Sequence, residues 1–189
     1  MNYLVIDTTS QTLFVGVFAN GKRYYKLMPG LKFHNNYVMD LIDAVLKQSG
    51  TTIDDISVIA AVTGPGSYTG IRLGVTIANA IAFAQNAKRI DISALACVTP
   101  LTSDKYSVGI FAREGNYYYA DFENGKMIIE GDIDEEDALK KDCFIIKKEY
   151  DPDLIFEECD RKIARSEYAL QLYPKYLKRA QAERLKDRK

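Results

Sequence analysis

The stretch from Ser57 to Ala84 constrains the fold more than any other part of the sequence. Ser57–Thr63 is a continuous apolar run, which is typical of a strand covered on both faces. The glycine-rich segment Gly64–Gly70 follows it, and Ile71–Ala84 is then apolar almost all round, which predicts a buried helix. The sequence therefore predicts a covered strand, a tight loop and a buried helix in direct succession.

Four more elements are predicted before this unit. Tyr3–Asp7, Leu13–Phe18 and Lys22–Met28 are predicted to be strands of an antiparallel meander, because Asn20-Gly21 is a strong hairpin signal. From His34 to Gln48 the apolar residues recur at helical spacing, which predicts an amphipathic helix.

A second lobe is predicted after a boundary at Pro100–Asp104, so that residues 1–101 form one lobe and 102–189 a shorter one. The alternation of strands and turns restarts there. The acidic segment Asp132–Asp137 predicts the start of a helix, because acidic side chains favour a first turn. The other predicted elements are strands at Arg89–Ser93, Tyr106–Ala112, Tyr117–Phe122, Met127–Glu130 and Cys143–Lys147, and helices at Ala94–Leu101 and Arg161–Leu172.

Composition limits the class of protein. With 189 residues, 47% of them hydrophobic, the chain suits one globular domain or two small lobes. The formal charge is −1, but residues 175–189 hold seven basic and two acidic residues. This basic tail is predicted to be a solvated helix, with an RNA contact as the less favoured alternative. The N-terminus lacks the positive leader of a signal peptide, and no apolar run approaches the roughly 18 residues of a membrane helix, so a cytoplasmic protein is expected.

Histidine and cysteine are too sparse for most catalytic or metal sites. His34 is the single histidine, so two-histidine metal sites and HExxH motifs cannot be built within the chain. Cys97, Cys143 and Cys159 are far apart and never form a CxxC pair, so they are expected to be reduced, buried thiols. No metal site is therefore expected.

The glycine loop has two interpretations. Its N–H groups could converge on an anion at the start of the helix. The alternative is a tight connection that lets the helix pack against the strand, which the spacing favours because it matches neither the Walker A nor the GxGxxG pattern. Asp7 could likewise orient a hydrated Mg²⁺ or satisfy its own turn, and the turn is favoured. The candidate residues of a residual nucleotide or phosphate site are Asp7, Thr8, Thr9, Gly64, Gly66, Ser67, Thr69 and Gly70.

Residues 64–74, with the sequence GPGSYTGIRLG, closely resemble the signature of the TsaB (YeaZ) family of tRNA threonylcarbamoyladenosine biosynthesis proteins. Four other segments are similar to that family. Val5–Ser10 is similar to its opening strand and turn, and His34 stands where its first helix is introduced. Ala112–Tyr118 is similar to its second-lobe hairpin, and Pro174–Glu183 to its closing motif. The resemblance thus runs from one end of the chain to the other.

The resemblance implies an α/β fold of the actin-like (ASKHA, ribonuclease H-like) type, with two lobes of which the second is shortened. It implies a non-catalytic scaffold that binds and activates the catalytic paralogue TsaD. That enzyme modifies the adenosine 3′ of the anticodon in ANN-reading tRNAs. A TsaE-like ATPase is a further partner, tRNA is contacted indirectly through the complex, and the isolated chain is expected to form a homodimer. No cofactor is implied, and any weak ATP or ADP binding would be shared at the partner interface.

Two departures from related sequences bear on catalysis. TsaD carries an HxxxH pair that holds its catalytic metal, whereas the matching stretch here, Asp91–Cys97, has no histidine. Phe111 stands where the family usually has an acid in its second-lobe hairpin, so one carboxylate for a nucleotide's magnesium is missing. The chain is therefore expected not to be an enzyme. The alternative is an actin-like nucleotide hydrolase or small-molecule kinase that uses Asp7 and the Gly64–Gly70 loop.

The partner interface is expected on two helices of the first lobe, His34–Gln48 and Gly70–Gln85. The second helix is apolar on more faces than one sheet can cover, so part of its surface needs a partner. Ala78 is expected to be exposed in the monomer and buried in the pair. The expected interface residues, of which the apolar ones divide between core and interface, are Val38, Leu41, Val45, Arg72, Thr76, Ile77, Ala78, Asn79 and Ile81.

Overall fold

The first of two sheets is mixed and has five strands. The computed structural model describes residues 1–30, 34–113, 115–141, 143–146 and 150–177. The strand order is β3-β2-β1-β4-β5, with β1, β2 and β3 antiparallel and β1, β4 and β5 parallel. The strands are β1 (Tyr3–Asp7), β2 (Leu13–Ala19), β3 (Lys22–Met28), β4 (Val58–Gly64) and β5 (Lys88–Ser93).

The second sheet has four strands in the order β8-β7-β6-β9, with β9 parallel to β6 and the other pairs antiparallel. Its strands are β6 (Tyr106–Arg113), β7 (Asn116–Glu123), β8 (Lys126–Asp134) and β9 (Phe144–Ile146). The helices are α1 (Val38–Ser49), α2 (Tyr68–Ala84), α3 (Glu135–Leu139) and α4 (Pro152–Ala164), with 3₁₀ turns at His34–Asn36, Ile53–Asp55 and Ala94–Cys97.

Helices cover both faces of the first sheet. On one face, Leu4 and Ile6 of β1 pack with the apolar residues of α1 and α2. On the other face, Tyr3 and Val5 pack with α4, whose Phe156 is fully buried. Every residue of β1 and β4 is buried, as expected for parallel strands covered on both sides. The first sheet is thus the middle of three layers.

The ends of α1 and α2 have clear local causes. The α1 helix ends at Gly50, whose φ of 68° is the left-handed conformation that glycine adopts without strain. The α2 helix begins after Ser67, whose hydroxyl oxygen accepts a hydrogen bond from the Gly70 N–H at 3.3 Å. This cap starts the helix three residues before the predicted Ile71.

Three helix predictions need correction. The predicted helix at Arg161–Leu172 is wrong, because α4 covers Pro152–Ala164. Asp151 caps its start by accepting a hydrogen bond from the Asp153 N–H at 2.9 Å, and proline at the first position suits a helix N-terminus. The predicted helix over His34–Gln48 becomes α-helical only at Val38, and the one over Ala94–Leu101 is a 3₁₀ turn at Ala94–Cys97.

The cysteines differ in their surroundings. Cys97 and Cys159 are buried, as predicted, and burial raises the pKa of the Cys159 thiol. The prediction is wrong for Cys143, which is exposed in the turn before β9. Within the described residues, no helix is both long enough and apolar enough to span a membrane.

Candidate functional site

The glycine loop after β4 packs directly onto the turn after β1. A Cβ added at Gly66 would clash with the carbonyl oxygen of Thr9, and one added at Gly70 would clash with that of Thr8. The Ser67 N–H donates to the Thr9 oxygen at 2.7 Å, and the Thr8 hydroxyl donates to the Gly70 oxygen at 2.6 Å. The glycines therefore permit backbone to pack on backbone, which is the alternative that the spacing favours.

Asp7, the candidate magnesium ligand, is 2% exposed and is hydrogen-bonded within the chain. Its Oδ1 accepts from the Thr9 N–H at 2.8 Å and from the Thr9 hydroxyl at 2.7 Å. Its Oδ2 accepts from the Tyr150 hydroxyl at 2.7 Å. Burial, and then the adjacent carboxylate, raise the pKa of Tyr150 well above its usual range. Asp7 thus satisfies its own turn and binds a phenol that nothing in the sequence connects with it.

The structure brings the two halves of the predicted nucleotide site together, but their polar atoms bind one another. Gly64, with a φ of 129°, lies against the backbone of Lys175, where a Cβ would clash. Thr69 is exposed in the first turn of α2. No cluster of three or more His, Cys, Asp or Glu side chains that could hold a metal occurs among the described residues. His34 is buried, and its Nε2 has no hydrogen-bond partner there.

Two apolar stripes run along α2. The first faces the sheet and is buried: Ile71, Gly74, Val75, Ala78 and Ala82. The second lies on the outward side and is exposed or half-buried: Leu73, Thr76, Ile77, Ala80, Ile81 and Ala84. Phe83, beside this outward stripe, is 82% exposed. The helix therefore has more apolar surface than the sheet covers, and the surplus is this outward stripe.

Several predicted interface residues belong to the core instead. Val38, Leu41 and Val45 of α1 are at most 8% exposed, because their helical spacing turns them all toward the sheet. Ala78 is 0% exposed, so the expectation that it lies on the monomer surface is wrong. Since α2 is apolar nearly all round, the sequence does not distinguish Ala78 from the exposed Ala80 two residues later.

Arg72 and Asn79, predicted at the edge of the interface, bind a segment of the same chain. Residues 166–177, here called the C-terminal strap, run along α2. The Asn79 amide donates to the Leu172 oxygen at 2.9 Å and accepts from the Leu172 N–H at 3.0 Å. The Arg72 Nε donates to the Tyr176 hydroxyl at 2.8 Å. Of the predicted polar line, only Thr76 remains on the outward stripe.

The strap is held at further points along its length. The Ala169 N–H donates to the Arg89 oxygen at 2.9 Å, and the Lys175 N–H donates to the Thr63 oxygen at 2.8 Å. Leu172 is 1% exposed and packs into the core between the sheet and the helices. The Lys175 side chain forms an ion pair with Glu130 of β8, so the strap joins the two sheets. Most of the predicted basic tail, residues 178–189, lies outside the described residues.

A cleft of about 210 Å³ lies between α4 and the segment after the Ala94–Cys97 turn. Thr99, Glu157, Glu158 and Arg161 supply its polar lining. Glu158 is 4% exposed, and its two oxygens accept hydrogen bonds from Arg161 at 2.6 and 2.5 Å. The buried carboxylate in this cleft is therefore already neutralised by the chain itself.

Comparison with known proteins decides the family. The sequence model of the TsaD family, tRNA N6-adenosine threonylcarbamoyltransferase, matches residues 28–183. The chain belongs to this family. A TsaB protein from Escherichia coli (strain K12), named for tRNA threonylcarbamoyladenosine biosynthesis, is 28% identical over 147 residues. A TsaB protein from Bacillus subtilis (strain 168) is 27% identical over 163 residues.

The matched regions differ in extent. They cover 74% of this chain and 63% of the Escherichia coli relative, and 82% of this chain and 70% of the Bacillus subtilis relative. A solved structure of a Pseudomonas aeruginosa protein, described as similar to peptidase YeaZ, superposes with a TM-score of 0.80 at 19% identity. It covers 94% of this chain and 99% of its own. The resemblance to TsaB and the actin-like α/β fold expected from it are confirmed.

Proposed function

We propose that the chain is a non-catalytic subunit in the biosynthesis of tRNA threonylcarbamoyladenosine. In this role it binds a TsaD-like paralogue and activates it for modification of the adenosine 3′ of the anticodon in ANN-reading tRNAs. A TsaE-like ATPase completes the assembly, and tRNA is bound chiefly by the paralogue. The TsaB relatives carry the name of this pathway, which supports the assignment.

The state of Asp7 is the observation that carries the non-catalytic part of the proposal. A nucleotide site of this fold would need that carboxylate free to orient a hydrated Mg²⁺. Here the Tyr150 and Thr9 hydroxyls and the Thr9 N–H all donate to it at 2.7–2.8 Å. Binding a metal there would break these hydrogen bonds. The single histidine of the sequence adds that a histidine pair for a catalytic metal is lacking.

The outward stripe of α2 is the surface proposed to bind the paralogue. Leu73, Ile77 and Ile81 are only half-buried by their own chain. Phe83 is mostly exposed to solvent. Because the paralogue shares this family's fold, its own α2 would meet the stripe in a pseudo-symmetric pair of helices. In the absence of the paralogue, a second copy of this chain would bind the same surface and give the homodimer.

Kinetics with purified components test the role. The chain alone is expected to show no ATP turnover above a buffer blank. The paralogue with the ATPase is expected to modify tRNA only slowly until this chain is added in equimolar amount. The Asp7→Asn variant should activate as well as wild type, provided that it folds. ATP turnover by the chain alone that is lost in Asp7→Asn would instead support the nucleotide hydrolase alternative.

A further inference from the structure

Three planar side chains form a cluster where the strap meets the start of α2. The rings of Tyr68 and Tyr176 stack with their centroids 5.0 Å apart and an interplanar angle of 28°. The Arg72 guanidinium carbon lies 4.1 Å from the centre of the Tyr68 ring, and its Nε donates to the Tyr176 hydroxyl at 2.8 Å. The guanidinium is therefore held in a fixed position against two aromatic rings.

This cluster is exposed, unlike the attachments of the strap at Leu172 and Asn79. Tyr68 is 53% exposed, Tyr176 is 42% exposed, and Arg72 is exposed as well. The buried Leu172 side chain and the paired hydrogen bonds of Asn79 already fix the strap on α2. Attachment of the strap thus does not explain why two large rings and a guanidinium group stand together at the surface.

The charge of Arg72 is not neutralised by a carboxylate. Arg23, Arg161 and Arg165 each lie within 4 Å of an Asp or Glu oxygen. Arg72 and the half-buried Arg89 have no such partner in the part of the chain that the structure describes, and of these two only Arg72 is exposed. The sequence also continues from Tyr176 into residues 178–189, which hold six basic and two acidic residues. The unpaired Arg72 guanidinium therefore favours an anionic ligand, and the basic composition of the sequence that follows agrees with one.

The combination of ring faces with an uncompensated guanidinium matches the chemistry of unpaired RNA. Bases that are not paired stack on tyrosine rings, and arginine binds the phosphates between them. A double helix presents its phosphates but keeps its base faces covered, so it would use the charge alone. A protein partner could use the same residues, since tyrosine and arginine are enriched in protein interfaces, and its binding is therefore one of the outcomes of the test.

We propose that the cluster of Tyr68, Arg72 and Tyr176 binds an unpaired segment of RNA directly. The proposal rests on the proposed function for the identity of that RNA as the tRNA substrate, but not for the contact itself. It goes beyond that function because the chain would then hold part of the substrate, in addition to activating the paralogue.

Anisotropy of a fluorescein-labelled 12-nucleotide single-stranded RNA, titrated with the full chain at several salt concentrations, tests the proposal. Arg72→Gln is expected to weaken binding about fivefold and to reduce the slope of log affinity against log salt by about 0.7, the value for one phosphate contact. Tyr176→Ala is expected to weaken binding about tenfold, through lost stacking. The blunt duplex of the same sequence should bind the wild type less tightly than the single strand.

Matched variants separate the contact from its alternatives. Lys26→Gln removes one exposed positive charge on β3 and should leave binding within about twofold of wild type. Tyr176→Phe keeps the ring and should retain most of the affinity. Tyr173→Ala removes another exposed ring of the strap that lies outside the cluster, and it should leave binding within about twofold of wild type. If it weakens binding as much as Tyr176→Ala does, the cluster is not what binds the RNA and the proposal is wrong.

Two further outcomes would overturn the proposal, and neither depends on the scaffold role. Wild-type RNA affinity and salt slope in Arg72→Gln would show that the guanidinium contacts no phosphate. Weakened association with the paralogue, with RNA binding unchanged, would make the cluster a protein contact instead. Failure of the proposed function would appear separately, as failure of the wild-type chain to bind or activate the paralogue.

Discussion

The sequence offers two regions for function, the turn around Asp7 and the outward side of α2. In the structure the first is buried and the second is partly open to solvent. At the turn, both carboxylate oxygens of Asp7 accept hydrogen bonds within the chain, and one of the donors is the Tyr150 hydroxyl. On α2, Ala80 is exposed, and Ile77 and Ile81 are only half-buried by the described part of the chain. The contacts around Asp7 therefore stabilise the fold, whereas the outward stripe of α2 is the surface on which a partner is expected.

The largest effect is expected on the covered side of α2. Ala78→Glu would place a carboxylate in a fully buried position, with about 3–5 kcal/mol lost from the free energy of unfolding. Urea denaturation followed by circular dichroism measures this loss. Ala80→Glu is the matched control, since its side chain is exposed and should change stability by only about 0.5 kcal/mol. Equal losses in the two variants would mean that the two sides of α2 are wrongly assigned.

Ala80→Glu should show its effect in association. A charge at the centre of the outward stripe is expected to weaken both the homodimer and the complex with the paralogue by about 30-fold or more, the scale of an interface hot spot. Sedimentation velocity and calorimetric titration measure the two equilibria. Ala164→Glu, the same change at an exposed position near the end of α4, should leave both unchanged. Wild-type affinity in a folded Ala80→Glu protein would place the interface elsewhere.

Much of the first sheet could be predicted from local sequence. The strands at Tyr3–Asp7 and Lys22–Met28 are confirmed at both ends, because a hairpin turn and a polar turn mark their limits. The predicted strand at Ser57–Thr63 is displaced by one residue. The helix α4 overlaps the predicted helix at Arg161–Leu172 only in its last four residues, because its start is set by Asp151 and Pro152. Local sequence signals thus predict which elements form better than they predict where the helices begin and end.

The candidate site could be predicted only in part, because its decisive contacts join distant residues. Tyr150 binds Asp7 across 143 positions, and Tyr176 binds Arg72 across 104. No spacing rule connects such pairs. The division of α2 into covered and open sides also escaped prediction, because nearly every position of the helix is apolar. Arg72 and Asn79 bind the strap and not a partner. The sequence did not predict this contact, because the predicted helix at Arg161–Leu172 covers part of the strap.

A smaller effect is expected where the strap borders the open stripe. Asn79→Ala removes two hydrogen bonds to the buried backbone of Leu172, which should lower the free energy of unfolding by about 2–3 kcal/mol. Limited proteolysis should then cut the strap faster than in wild type. Thr76→Ala, one turn earlier and exposed, should alter neither quantity. Unchanged proteolysis in Asn79→Ala would show that the strap does not depend on this contact.

The smallest effect concerns the turn around Asp7. Tyr150→Phe removes one donor from the buried Asp7 carboxylate, with an expected loss of about 1.5 kcal/mol. Tyr25→Phe, which removes an exposed hydroxyl, is the control and should change little. Thermal unfolding at pH 7 measures the difference. The loss in free energy of unfolding should be smaller than that of Asn79→Ala. A gain in stability would mean that the hydrogen bond from Tyr150 to Asp7 does not stabilise the fold.

The pH dependence of Tyr150→Phe sharpens the same point. Because burial and Asp7 raise the pKa of Tyr150, the folded chain keeps this proton above pH 10, where an unfolded tyrosine with a pKa of about 10 loses it. The contribution of Tyr150 to stability is therefore complete below about pH 10 and falls as the pH rises beyond it.

Tyr150→Phe should lose less stability between about pH 9.5 and 11 than wild type, while Tyr25→Phe keeps the wild-type slope. A remaining slope is expected in every variant, because burial also raises the pKa of Tyr3. Identical slopes in wild type and Tyr150→Phe would show that the phenol is not buried against the carboxylate, and the nucleotide site would then be open.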